Sequence, residues 1–266
     1  MSLALELWLA GWLLVAAVML GLWLIQLRTR DATLVDVGWT ANLGLLAIFY
    51  ALGADGAPGR RWLVAVLAGA WSLRLALHLL RSRVLDPLHG EDRRYAALRE
   101  RWGERAPRNF FWVYQAQALL DSLLSLPFLL ACLDSQARLG PAAVGAGLLL
   151  LLSVAGEWVA DQQLLRFKSD PANRGRTCRT GLWRVSRHPN YFFEWLAWCA
   201  FALLALPAPL GWLGLSAPLI MLLLLLKVTG VPPAEEQAVS SRGDDYRAYQ
   251  RSTSAFFPWF PKEGTT

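Results

Sequence analysis

The chain has 266 residues, of which 55% are hydrophobic and 17% charged, and its 26 Lys/Arg against 20 Asp/Glu leave a formal charge of +6. Apolar runs recur along its whole length, which excludes a soluble globular class and points to an all-α integral membrane protein, folded as a single transmembrane domain. Three cysteines without a C-x-x-C pair and three histidines without ligand spacing exclude a disulfide framework and a metal site.

A helix needs about 20 residues to cross a bilayer, with a working range of about 17–25. Seven stretches meet that need, at about 3–27, 34–52, 62–80, 110–133, 144–165, 191–206 and 210–226. The first lacks the basic n-region and cleavage site of a signal peptide and is too long for one. The sixth is short, bounded by Pro189 and by Pro207 and Pro209. The connections after spans one, three and five, with the C-terminal tail, carry 22 of the 26 Lys/Arg. By the positive-inside rule the N-terminus is then outside and the C-terminus cytoplasmic. This bias accounts for the basic balance and gives no reason to invoke nucleic acid.

Between the spans, residues 81–108 hold a basic, partly amphipathic helix over about 91–102, and residues 166–187 read as a Gly/Pro-punctuated loop. The tail predicts a helix over about 234–251. It closes on SAFFPWFPK, an aromatic segment suited to the membrane interface.

Ionisable groups inside spans cost about 2.5–3.5 kcal/mol each even on lenient scales, so each calls for a role. Arg74 and His78 stand at i,i+4 and His78 and Arg81 at i,i+3; Glu157 with Asp161 and Asn190 with Glu194 also stand at i,i+4. Asp121, nearer mid-span, fits a helix–helix hydrogen bond. The other stripes predict a polar cavity opening to the cytoplasm. Seven cations, among them Lys168, Arg179, Arg184 and Arg187, lie within residues 166–187. Arginine forks suit phosphate. The pattern is that of a bound nucleotide, with phosphates on the arginines and hydroxyl or carboxamide groups on Glu157, Asp161, Asn190 and Glu194. An anionic lipid or topology alone would also account for the charge. Neither G-x-G-x-x-G nor a P-loop sequence is present, so the ligand would lie among helices.

GLWRVSRHPNYFFEW (181–195), EWVADQQ (157–163), GEDRRYAALR (90–99) and GDDYRAYQRSTSAFFPWFP (243–261) together resemble the steroid 5-alpha-reductase family, in its bacterial membrane branch. The resemblance implies a seven-helix inner-membrane enzyme that binds NADPH and reduces a carbon–carbon double bond conjugated to a carbonyl in a lipophilic substrate. It places the cofactor motifs in the C-terminal half, from about residue 141. It assigns nicotinamide-nucleotide contacts to Asn190, Tyr191 and Glu194, an acidic contact to Asp161 and an adenosine-phosphate contact to Arg179. Glu157, Arg184, Arg187, His188 and Tyr246 complete the expected set.

S-adenosylmethionine-dependent membrane methyltransferases share part of the pattern, R-H-P-x-Y followed later by Glu-Glu, here Arg187, His188, Pro189, Tyr191, Glu235 and Glu236. A non-enzymatic lipid-binding role is a third alternative. The steroid enzymes place a Gln-Glu pair in the second span and a Tyr in the third; this third span has no Tyr. His78 stands on the comparable face and is the expected proton donor, oriented by Asp36. Membrane lipids and a lipophilic small molecule are the expected partners.

Overall fold

A computed structural model of the protein describes residues 2–85, 90–136 and 138–262, and every regular element among them is helical. Helix α1 is Leu3–Thr29, α2 Leu34–Gly53, α3 Pro58–Leu79, α4 Arg93–Trp102, α5 Ala106–Leu124 and α6 Leu126–Cys132. Helix α7 is Pro141–Ser169, α8 Pro189–Ala205, α9 Ser216–Leu223, α10 Val231–Arg242 and α11 Asp244–Ser252. Prolines open many of them: Pro58, Pro141 and Pro189 begin α3, α7 and α8, where the missing N–H costs nothing.

Among the described residues, six helical stretches are long and apolar enough to cross a membrane: Leu3–Thr29, Leu34–Gly53, Pro58–Val84, Arg93–Cys132, Pro141–Ser169 and Gly211–Arg242. Seven were expected. The difference is α8, whose 17 residues reach only about 26 Å at 1.5 Å per residue, short of a ~30 Å hydrocarbon core. Two other expectations change. The loop foreseen from residue 166 starts later, because α7 runs on to Ser169 and makes Arg166 and Lys168 helical. The single tail helix is two helices, broken at Gly243, whose φ of 57° favours glycine.

The described chain forms two compact units. Unit 1 comprises residues 1–142 and 204–216, and unit 2 comprises 143–203 and 217–266.

In unit 1, α2 is central and packs against α1, α3, α5 and α6. Small residues permit the approach. A Cβ on Gly44 would meet the Ser72 hydroxyl at 2.6 Å. The glycine instead lets that hydroxyl accept from the Gly44 amide at 3.0 Å. Asp121 makes the helix–helix contact expected of it, accepting from Asn42 Nδ2 at 3.0 Å with both residues buried. Such bonds within a membrane contribute about 0.6–1.7 kcal/mol. One turn past Asp121, where α5 ends, Ser125 meets Tyr50 at 3.2 Å.

In unit 2, α7 lies against the start of α8. The Ser153 hydroxyl donates to the Phe193 carbonyl, and Gly156 leaves room for the Phe193 ring. Leu148, Leu151 and Leu219 remain exposed on its helices, as lipid-facing side chains do.

Candidate functional site

The chain between α7 and α8 is tied down at each turn. Trp183 Nε1 donates to the Ala160 carbonyl at 2.9 Å, and the Leu182 amide to Gln163 Oε1 at 2.8 Å, both acceptors on α7. The Thr177 amide donates to Asp245 Oδ2 at 2.7 Å, which brings in the start of α11. Tyr249 of α11 donates to the carbonyls of Trp183 and Ser186. Burial pushes up the Tyr249 phenol. The connector is therefore a fixed layer on α7 and α11.

At the end of this layer Glu235, on α10, gathers the most donors. Its Oε1 accepts from Arg187 Nε at 2.6 Å, lies 3.3 Å from His188 Nε2 and accepts from the Tyr246 hydroxyl at 3.5 Å; its Oε2 accepts from Gln250 Nε2 at 2.8 Å. Arg187 completes the clamp by donating from Nη1 to the carbonyls of Gln250 and Thr253. The His188 ring stacks on Tyr191 at 5.3 Å with 4° between planes. Tyr246 is pushed up to about 12, by burial and then by the charge of Glu235.

Beside this cluster opens a cleft of about 250 Å³, whose polar lining includes Lys168, Thr177, His188, Asn190, Arg242 and Tyr246. The Arg242 guanidinium lies 5.9 Å from the Tyr246 ring centroid, a cation–π contact that holds it at the rim. Asn190 Nδ2 donates to Asp161 Oδ1 at 3.4 Å, which fixes the amide from behind. The buried Thr177 Oγ1 has no hydrogen-bond partner among the described residues. A wall with two cations, an amide and an unsatisfied hydroxyl can hold an anion joined to hydroxyl or amide groups.

Of the ten residues expected to hold a cofactor, Arg187, His188, Asn190, Tyr191 and Tyr246 line the cleft. Asp161 touches it through Asn190. Glu157 and Glu194 are buried elsewhere in unit 2, Glu194 accepting from Trp198 Nε1 at 3.3 Å. Arg184 is exposed. Arg179, expected on phosphate, donates from Nη2 to Asp245, 2.8 Å from Oδ1 and 2.6 Å from the carbonyl. Burial raises Asp245, but the Thr177 hydrogen bond and the Arg179 charge outweigh it and leave the carboxyl below its ordinary value. Arg187 likewise acts as a strut between α10 and α11.

The sequence placed Lys168 in the cationic cluster but assigned the phosphates to its arginines; it gave no sign of Arg242, which lines the cleft with Lys168 and Arg187, and left Glu235 without a role. The one signal for Glu235 was the Glu-Glu pair of the methyltransferase pattern.

The proposed catalytic pair lies in unit 1, and its geometry corrects the expectation. Asp36 Oδ1 accepts from Tyr95 at 2.6 Å, and Oδ2 accepts from Arg94 at 2.7 Å and from Arg83. Its partners are thus on α4 and the turn after α3, and it does not orient His78. The His78 side chain is exposed, and the helix widens to a π turn over Leu80–Val84, so the i,i+3 relation to Arg81 does not define a regular face. The neighbouring pairs are closed too. Glu91 joins Arg99 at 2.6 Å and accepts from the Ala32 amide at 2.9 Å, and the Asp92 amide donates to Thr33 Oγ1 at 2.8 Å. Together these contacts clamp α4 onto the start of α2.

A family model described as a protein of unknown function, DUF1295, matches residues 22–253. The chain belongs to this family. The DUF1295 match takes in the whole cleft, from Leu164 to Tyr249, and stops before the aromatic close of the tail. An uncharacterized protein of Schizosaccharomyces pombe is 28% identical over 270 aligned residues, covering 89% of this chain and 75% of that protein. No solved structure matches the chain.

Proposed function

We propose that this DUF1295 protein is an NADPH-dependent membrane reductase, related to the steroid 5-alpha-reductases, acting on a carbon–carbon double bond conjugated to a carbonyl in a lipophilic substrate. One observation carries the reading: Lys168, Asn190, Arg242 and Tyr246 line a single cleft, with Asp161 bound to the Asn190 amide. The reading includes the charge-derived topology of seven crossings with the C-terminus in the cytoplasm, α8 crossing incompletely or at a thinned site. It also places the protein in a bacterial inner membrane.

The residues fit the group. Lys168 and Arg242 suit phosphate, Asn190 suits a carboxamide, and Thr177 Oγ1 lacks a partner that a bound hydroxyl or phosphate oxygen would supply. At about 250 Å³ the cleft falls just below the ~300–1,000 Å³ of ordinary ligand pockets, so it takes one end of a dinucleotide and leaves the other at the rim. NADPH, when bound, supplies hydride to the β-carbon. His188 is better placed than His78 to handle the proton. It lines the cleft, and Glu235, 3.3 Å from Nε2, orients the ring and leaves Nδ1 to hold or release a proton.

A second reading has its own support. Arg187 and His188 meet Glu235 and Tyr191 stacks on His188, so four residues of the methyltransferase pattern converge as well. Thermal unfolding of the purified protein in detergent, with NADPH and separately with S-adenosylmethionine, separates the two. The reductase reading expects NADPH alone to raise the melting temperature. A rise with S-adenosylmethionine alone transfers the cleft to methyl transfer.

A further inference from the structure

The end of the chain folds back on itself. The Arg187 amide donates to the Ser254 carbonyl at 2.8 Å, the Trp259 amide to the Val185 carbonyl at 2.9 Å, and the Lys262 amide to the Ser252 carbonyl at 2.9 Å. The Ser186 hydroxyl holds the Phe256 carbonyl at 2.8 Å, and Phe256 packs edge-on against Phe192 and Trp195. Residues 252–262 are thus a loop pinned at both ends and in the middle.

A loop so fixed, with Phe256 buried as its anchor, has no packing reason to expose its other rings. Yet Trp259 is 73% and Phe260 83% exposed. Next to them is a second cleft, of about 280 Å³, lined by Arg251, Ser252, Ser254, Trp259, Phe260 and Lys262 among others, with no carboxylate among its lining residues. The closing bond from Lys262 to Ser252 brings a cation eleven positions from Arg251 to the same cleft. Two cations and two serine hydroxyls face a space flanked by rings that prefer the headgroup depth of a bilayer.

We propose that this cleft binds the phosphate headgroup of an anionic phospholipid, with Arg251 and Lys262 on the phosphate and Trp259 and Phe260 along the upper acyl chain. Charge complementarity excludes a cationic occupant, and the exposed Trp259 and Phe260 favour a lipid over a soluble phosphate, which would leave both rings in water. The site is separate from the candidate nucleotide cleft and stands whether or not that cleft takes NADPH. Basic residues at an anionic surface each change affinity by about fivefold.

The test is native mass spectrometry of the full chain in neutral detergent, counting retained phosphatidylglycerol against phosphatidylcholine. Wild type is expected to retain phosphatidylglycerol preferentially, and Arg251→Gln with Lys262→Gln to lower that retention on the order of 20-fold, with phosphatidylcholine unchanged. Arg251→Lys with Lys262→Arg should restore it. Equal retention of the two lipids by wild type overturns the proposal whatever the variants do. So does undiminished phosphatidylglycerol binding by the charge-free variant. Millimolar inorganic phosphate is expected to displace little lipid; complete displacement by phosphate would overturn the lipid assignment.

Discussion

Two carboxylates organise this molecule, Asp36 in unit 1 and Glu235 in unit 2. Asp36 receives Tyr95, Arg94 and Arg83, and around it Glu91 with Arg99 and Asp92 with Arg94 and Thr33 close every pair. Glu235 receives Arg187, His188, Gln250 and Tyr246, but three of these four, Arg187, His188 and Tyr246, also line a cleft. The first arrangement fixes a helix. The second holds side chains in place while leaving part of their surface to a ligand. Polar residues near a membrane edge therefore indicate a site only when some of their capacity faces open space.

The contrast can be broken at either hub, and the largest effect is expected at Glu235. Glu235→Ala leaves Arg187 and His188, with side chains 11% and 7% exposed, without their shared acceptor. Stability should fall by about 3–5 kcal/mol, read by denaturant or detergent unfolding. Glu235→Gln should recover part of that loss, because it keeps one acceptor oxygen. In unit 1, Tyr95→Phe removes one donor from Asp36 and should cost about 1–3 kcal/mol in the same measurement, with nucleotide affinity unchanged.

Changes at the rim should move binding and not stability. Lys168→Gln and Arg242→Gln are each expected to weaken NADPH about fivefold to tenfold, an effect that fades with added salt, while the melting temperature stays level. The smallest effect concerns Asp245. Its folded carboxyl titrates below the ordinary value, so its contribution is complete above the unfolded pKa and is lost as pH falls through the folded one. Melting temperature should decline on acidification below about pH 4, and more shallowly in Asp245→Asn. Solvent screening of this half-exposed pair keeps the difference small.

Much of the scaffold was legible. Apolar runs longer than a bilayer crossing must be helices, and the first three spans agree with α1, α2 and α3 to within a few residues. Asp121 was readable as a helix–helix bond because a lone acid in a span needs a donor. The failures have physical causes. Gly243 breaks a helix that the Ala, Glu, Gln and Arg residues on either side favour, a conflict that composition over a window averages away. Arg179 and Arg187 looked like phosphate ligands because a charge count cannot show that Asp245 and Glu235, some 66 and 48 positions on, engage them. For the same reason Asp36 was assigned to His78. Its partners Arg94 and Tyr95 lie 58 and 59 positions away, and no period in the sequence encodes that pairing.

The most direct test of the account is equilibrium binding of NADPH, followed by its own fluorescence, to wild type and to Asn190→Asp. The substitution puts a second carboxylate where the amide now donates to Asp161 at 3.4 Å, on the wall of the proposed site. Saturable binding to wild type, weakened at least tenfold in the variant with the fold intact, is the predicted result. Equal affinity in the two proteins, or no binding to either, would contradict the assignment of this cleft to a nicotinamide nucleotide.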